Sequence, residues 1–384
     1  MNLSREERIR YHRHIILNEF GEEGQLKLRN ARILVVGAGG LGSPVLLYLA
    51  AAGVGTLGIV DNDVVDVTNL QRQILFTNDD VGKSKAEQAA HRLRMMNPHI
   101  ECVVFNMRIT SQNALNIINQ FDLVIDGTDN FPTRYLLNDA CVLLDKPLVY
   151  GSILRFEGQV SVFNAKTVSG RSANYRDLFP APPPASAVPD CSTAGVLGVL
   201  PGVIGSLQAN EAIKLVTGLG DPLVNKLLIL DSLSMDQHII TYRDLNARDQ
   251  IKALIDYDEF CISAGKKESL GHSTNNNTTM KEVTVQELKQ MMDEGKSFQL
   301  IDVREPHEYD ICNLGGELIP QGDIPSNVER VSKDRQVVIH CRSGARSGNM
   351  VQWLEANHGF TNLYNLKGGI LEWAREIDPE MPTY

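Results

Sequence analysis

Residues 33–42 read ILVVGAGGLG: an apolar run of strand type stops on a glycine-rich turn, and a helical pattern, SPVLLYLAAAG, begins at once. Gly37, Gly39 and Gly42 keep the G-x-G-x-x-G spacing, with Gly40 among them. Glycines so placed permit a tight turn and close backbone approach, while the helix behind them offers unpaired N–H groups and a positive dipole end to a phosphate. Such a turn can also serve packing alone, so the motif needs context. Residues 57–63, LGIVDND, supply it: a second apolar run ends in Asp61 and Asp63 about 20 residues on, where a carboxylate would hold a ribose hydroxyl. Together the two stretches predict a nucleotide site.

Outward from this unit, the pattern predicts strands at 57–60, 100–105, 122–126 and 147–150, alternating with helices at 43–52, 84–95, 111–119 and 132–144. That alternation implies an α/β fold with a doubly wound, mostly parallel sheet of Rossmann type, whose ligands sit beyond the carboxyl ends of the strands. Upstream, Ser4 to Glu7 form a possible capping box before an amphipathic helix. Downstream, a strand at 157–163 precedes a polar and proline-rich stretch, 164–189, expected to be a non-helical crossover or flap. Cys191 follows, then an apolar helical run to Val216 and a strand pair near 226–231 and 237–242.

Residues 262–280, polar and carrying three consecutive asparagines, read as a linker between a first domain, 1–261, and a second, 281–384. In the second, helices at 284–293, 346–357 and 368–376 and strands at 298–303 and 337–340 predict a smaller α/β domain.

The chain has 384 residues, is 43% hydrophobic and carries a net charge of −10, enough for two cores and with no basic block to favour direct nucleic-acid binding. Its longest apolar stretch, 194–209, is short for a membrane span and contains Pro201. The N-terminus lacks the apolar segment of a secretory signal. Six cysteines lie far apart with no C-x-x-C pair, which fits a reducing cytoplasm and predicts no zinc site.

Past the glycine turn come Asn69, Arg72 and Gln73 in one loop, Lys85 at the start of a helix, and Asp129 and Asn130 at a strand end. Cations beside a ribose carboxylate suit a triphosphate, and Asp129 would hold Mg²⁺ through oxygen. A nicotinamide dehydrogenase would not require them.

The runs RYHRHIIL, GAGGLGSP, DNDVV to NLQRQ, VGKSKAE, DGTDN, EGQVSVF, CSTAGVLG and PGVIGSLQANEAIK resemble the E1-like activating enzymes that adenylate small ubiquitin-like sulfur carriers in molybdopterin and thiamine pathways. The resemblance covers residues 1 to about 260. It implies that Gly40, Asp61, Asn69, Arg72, Lys85 and Asp129 contact ATP or Mg²⁺. It also implies a homodimer in which Arg13 reaches the other subunit's site. Cys191 matches a cysteine that the family can use to take the acyl group or resolve a disulfide. The family usually holds a structural zinc with two C-x-x-C pairs. Here the first pair's positions are Asn174 and Asp177, and no second pair follows Arg243. A flap without zinc would be held by packing alone or be mobile.

In the second domain a strand, QVVIH, runs into Cys341-Arg342-Ser343-Gly344-Ala345-Arg346 and a helix. Backbone N–H groups, a helix N-terminus and two arginines around Cys341 would stabilise a thiolate or persulfide. A phosphatase loop has one more residue between cysteine and arginine. The stretch from about Glu282 to Tyr384 resembles a rhodanese, with DVRE at 302–305 and LKGGI at 366–370 as further matching text. Cys102, Cys141, Cys261 and Cys312 read as packing residues. The whole chain thus resembles the adenylyltransferase-sulfurtransferases. That resemblance implies adenylation of a carrier's C-terminal carboxylate, then attack by a Cys341 persulfide to give a thiocarboxylate. A cysteine desulfurase or thiosulfate would supply the sulfur. A sulfurtransferase with a vestigial nucleotide domain and a non-enzymatic carrier-docking protein remain open at this point.

Overall fold

The structure is a computed structural model, and it describes residues 2–168, 170–183, 195–261 and 280–383. Its contacts divide the chain into two compact units, Met1–His272 and Ser273–Tyr384. Cys191 and nearly all of the expected linker lie outside the described residues.

The first unit is built on ten strands: β1 (Arg32–Val36), β2 (Thr56–Val60), β3 (Glu101–Phe105), β4 (Leu123–Asp126), β5 (Leu148–Leu154), β6 (Glu157–Phe163), β7 (Lys166–Thr167), β8 (Gly170–Arg171), β9 (Lys226–Asp231) and β10 (Gln237–Thr241). Eight of them form one sheet in the order β10-β9-β6-β5-β4-β1-β2-β3, while β7 and β8 pair separately. The run from β3 through β5 is parallel, and β6, β9 and β10 extend it antiparallel.

Every residue of β1 from Ile33 to Val36 is apolar because both faces are covered, the usual state of a parallel strand. Ile33 and Val35 pack with Leu46 and Leu49 of the helix Gly42–Ala52. Leu34 and Val36 pack on the other face with Phe121, Leu136 and Tyr135. Chain order reverses at β1, which lies between β2 and β4, so the loops after β1 and β4 open a crevice at its C-terminal end.

The second unit holds β11 (Glu282–Val283), β12 (Phe298–Asp302), β13 (Glu317–Leu318), β14 (Gln336–His340) and β15 (Leu363–Leu366) in the order β11-β15-β14-β12-β13, with every pair parallel. Val337 and Ile339 of β14 face one core cluster and Val338 the other, so helices cover both sides.

Some elements depart from the sequence pattern. The stretch expected to be a non-helical flap contains the β7–β8 pair and a one-turn helix, Tyr175–Leu178. A polar cap, rather than apolar periodicity, sets that turn: the Asn174 side chain accepts from Arg176 N while the Asp177 carboxylate accepts from Asn174 N. β11, β13 and the helix Pro306–Ile311 are too short for periodicity to register. Among the described residues no helix is long and apolar enough to cross a membrane.

Candidate functional site

The crevice is a cavity of about 960 Å³ in the first unit, walled by the turns after β1, β2 and β4. Gly37 (φ +91°) turns the chain, and a Cβ on Gly42 would lie 1.9 Å from the Gly37 carbonyl oxygen, so the fingerprint glycines meet each other at van der Waals limits. Gly39 and Gly40 line the cavity, whereas Gly42 begins the helix behind it.

Asp61 ties the two turns together. Its carboxylate accepts from Ala38 N and from Asp63 N, both at 2.8 Å. Burial pushes the Asp61 carboxyl above the ordinary carboxylate range, opposed by those two N–H groups and by Lys85. Lys85 is sunk beneath the site with its Nζ 2.9 Å from Asp63 Oδ2, and both residues line the cavity.

Arg72 and Gln73 line the cavity against Gly40 and Gly39 of the glycine turn. Arg72 donates to Thr68 O at 3.1 Å. Gln73 Oε1 is buried without a hydrogen-bond partner among the described residues, an acceptor suited to a ribose or adenine donor. Asn69 caps its own 3₁₀ turn, accepting from Asp66 N at 3.3 Å, and is not among the lining residues. At the end of β4, Asp129 is an exposed carboxylate on the wall. Asn130 also lines the cavity but spends its Oδ1 on Thr133 N, capping the helix Phe131–Leu143. Arg13 lies exposed on the helix His12–Ile15, off the cavity of its own chain.

Sequence reasoning missed the cavity floor. Arg134 is buried and donates to Asp126 Oδ2 at 3.2 Å, Ser152 Oγ at 3.3 Å and Thr128 O at 3.2 Å. Its guanidinium sits 5.1 Å from the Tyr150 ring centre. Burial raises the Asp126 pKa, and Arg134 and the two Thr128 donors oppose it; the 3.2 Å contact between two buried groups is what pairs the cation with the carboxylate. Tyr175 and Phe179, 4.9 Å apart, complete an aromatic wall. No motif linked Arg134 to Asp126 beforehand, because the contact depends on the helix register after β4.

The second unit presents a sulfur cradle. Cys341 is buried at the C-terminal end of β14, and its Sγ accepts from Gly344 N at 3.2 Å. Ser347, a residue the sequence reading passed over, brings its hydroxyl to 3.4 Å from that sulfur but to 2.7 Å from Asn365 Oδ1. With one proton to give, the hydroxyl is better placed for Asn365. Ser343 and Ala345 are exposed, and Gly344 (φ +91°) caps the helix Ala345–His358. Arg342 is half-buried in the loop, while Arg346 is gripped by Glu308.

One glycine and the two residues after it lock the cradle from behind. A Cβ on Gly369 (φ +61°) would lie 2.5 Å from Arg342 O and 2.6 Å from Cys341 O. Ile370 N donates to Cys341 O and Leu371 N to Arg342 O. Beneath, Arg304 is wholly buried and forked onto Asp302, and Arg304 also donates to Cys312 O at 2.8 Å. The DVR text is therefore a structural lock under Cys341.

A ThiF family model matches residues 11–252 and a rhodanese-like domain model matches 284–376. The chain belongs to the ThiF family. It is 46% identical over its whole length to the probable adenylyltransferase/sulfurtransferase MoeZ of Mycobacterium tuberculosis, covering 96% of that protein. Over 68% of this chain it is 51% identical to a sulfur carrier protein adenylyltransferase of Thermus thermophilus, covering 99% of it. The structure of Escherichia coli MccB with ATP is 25% identical, with a TM-score of 0.53, covering 61% of this chain and 71% of that one. This ThiF-family chain is accordingly an enzyme of adenylyl transfer and sulfur transfer. The two alternatives left open by the sequence, a lone sulfurtransferase and a docking protein, do not fit relatives named for both activities along the whole chain.

Proposed function

We propose that this enzyme uses ATP to adenylate the C-terminal carboxylate of a small ubiquitin-like sulfur-carrier protein and then converts the activated carboxylate to a thiocarboxylate through a Cys341 persulfide. The observation that supports it most directly is the company kept by the glycine turn. A ribose-type carboxylate, Asp61, shares one cavity with Lys85, Arg72 and Arg134. Two anions, a carboxylate and a triphosphate, must meet for adenylation, and cations held in a partly buried cavity screen that repulsion.

In this reading Gly39, Gly40 and Lys85 hold phosphates, and Gln73 and Asp61 hold the nucleoside. Asp129 would hold Mg²⁺, which supplies charge neutralisation; one carboxylate with substrate phosphates is a common magnesium site. Residues 1–261 carry adenylation and 281–384 carry sulfur transfer. Gly344 N and the loop arginines Arg342 and Arg346 support the charge on sulfur. Attack of the persulfide on the acyl-adenylate expels AMP and leaves an acyl disulfide on Cys341; the Cys191 thiol assists release by cleaving its S–S bond, freeing the thiocarboxylate and leaving a disulfide that an external thiol reduces. The enzyme works as a cytoplasmic homodimer in which Arg13 reaches into the partner's cavity. A cysteine desulfurase or thiosulfate loads Cys341.

Carrier-dependent exchange of pyrophosphate into ATP tests the first half. Exchange that appears only with a ubiquitin-like carrier, and is lost in Lys85→Ala but kept in Cys341→Ser, is the expected result. No exchange with any such carrier overturns the reading.

A further inference from the structure

The positions where the family resemblance expects zinc-binding cysteines do something else in this chain. Asp177 is buried, and both its carboxylate oxygens are filled by N–H donors. Oδ2 accepts from Asn174 N at 2.8 Å and Asn174 Nδ2 at 2.6 Å. Oδ1 accepts from Leu245 N at 2.9 Å and Ala247 N at 3.0 Å. Four donors occupy the roughly four lone-pair sites that a carboxylate offers, which leaves none for a cation. These residues do not fit a zinc site. They bridge the same two segments, one before the long helix Val199–Thr217 and one after β10, by hydrogen bonds in place of metal ligands.

The bridge reaches the nucleotide cavity. Asn174 Oδ1 accepts from Asn138 Nδ2, and Asn138 Oδ1 accepts from Tyr175 N at 2.7 Å. Arg176 forks onto Asp139 with two bonds of 2.7 Å, and Tyr257 adds a third to the same carboxylate. Asn138 and Asp139 belong to the helix whose first turn supplies Arg134. Tyr175 and Phe179, at the two ends of the clasped turn, are the aromatic wall of the cavity, and the Tyr135 hydroxyl holds Phe179 O at 3.0 Å.

We propose that Asp177 is a positioning residue: a metal-independent carboxylate clasp that ties residues 245–247 to the Tyr175–Phe179 wall and so sets affinity for the nucleotide. The affinity part rests on the adenylation reading above; the clasp itself does not. Asp177 touches no substrate and acts through Tyr175 and Phe179.

The test uses the full chain with two readouts, amide hydrogen exchange over residues 174–179 and 245–247, and equilibrium binding of Mg·ATP. Asp177→Asn keeps the shape but turns an acceptor toward donors as a donor. It is expected to speed exchange at Leu245, Ala247 and Tyr175 and to weaken ATP binding, each by about tenfold. Asn174→Ser keeps a capping hydroxyl, loses the amide bridge, and should give a smaller change of the same kind; it decides the matter if Asp177→Asn fails to fold. A zinc chelator should leave both readouts of the unmutated protein unchanged. Stoichiometric zinc whose removal loosens the segment overturns the proposal, as does unchanged exchange in the folded variants. Loosened exchange with unchanged ATP binding overturns the positioning role. An unmutated protein that binds no ATP, yet loosens on Asp177→Asn, sinks the adenylation reading and leaves the clasp standing.

Discussion

Glu308 grips Arg346 through both terminal guanidinium nitrogens, each 2.6 Å from a carboxylate oxygen, so one of the two arginines beside Cys341 has its charge matched before any sulfur arrives. The pair is mostly buried, at 9% and 16% side-chain exposure. A fork of this kind fixes direction as well as charge, and an ammonium cannot reproduce it. Arg346→Lys is therefore expected to slow sulfur transfer from thiosulfate by about tenfold, the scale of one charge-assisted hydrogen bond. A steady-state assay checks it; an unchanged rate would mean that the fork has no part in holding the loop.

Gly369→Ala attacks the same loop from behind. The added methyl would meet the carbonyls of Cys341 and Arg342 at 2.6 and 2.5 Å, in a left-handed backbone position that favours glycine. Both atoms are backbone, so the loop itself has to shift. We expect sulfur transfer to fall more than tenfold with adenylation retained. A loss of both activities would contradict a local displacement.

How much of this was legible beforehand differs between the two kinds of residue. Gly37, Asp61 and Cys341 were readable because each sits where a strand ends, and Lys85 because it opens a helix; both kinds of boundary carry their own sequence pattern. Arg134 and Ser347 were not, because each depends on a helix register that brings it back to the preceding strand's end. The Asn174–Asp177 turn was the clearest miss. Its order comes from polar bridges to residues some 70 positions away, which leave no periodic trace. β15 escapes the sequence pattern for a different reason: it is only four residues long.

His340 gives the second unit an acid limit. It is fully buried beside Cys341, neither ring nitrogen has a hydrogen-bond partner among the described residues, Asp302 Oδ2 lies 3.6 Å from Nε2, and burial outweighs that carboxylate to lower its pKa to about 4. The fold favours the neutral ring, so its contribution is complete above the unfolded value near 6.5 and is lost as pH falls from there toward about 4. The span corresponds to roughly 3 kcal/mol for one proton. The unfolding transition of the second unit should drop through this window in the unmutated chain and flatten in His340→Gln. An identical pH profile for both would assign the acid sensitivity to other groups.

Arg134→Ala should be costly in a way that activity alone does not reveal. It leaves the Asp126 carboxylate buried without its cation, and breaking one side of a buried pair costs about 3–5 kcal/mol. Arg134→Ala with Asp126→Ala removes both charges and is expected to recover part of that stability, while pyrophosphate exchange stays lost. Recovery of exchange in the double variant would remove Arg134 from the chemistry and leave it a purely structural cation.

The Lys85–Asp63 pair separates structure from chemistry most cleanly. Lys85 is only 7% exposed while Asp63 is 61% exposed, so one partner is solvated and their mutual attraction is largely screened. A cation this deep needs a reason other than that ion pair, and under the proposed function the cavity it lines supplies one: a triphosphate would be the stronger partner. Asp63→Ala should then leave the melting temperature within a few degrees and change exchange no more than severalfold. Lys85→Ala should lower exchange by about 10²–10³ with a similarly small effect on melting, the scale seen when one preorganised charge is taken from a transition state. If the two variants lost activity equally, the pair itself would be the working unit, with Asp63 orienting Lys85. If both lost stability and neither lost exchange, the lysine would be a structural cation and the phosphates would have to be held from the Arg72 wall instead.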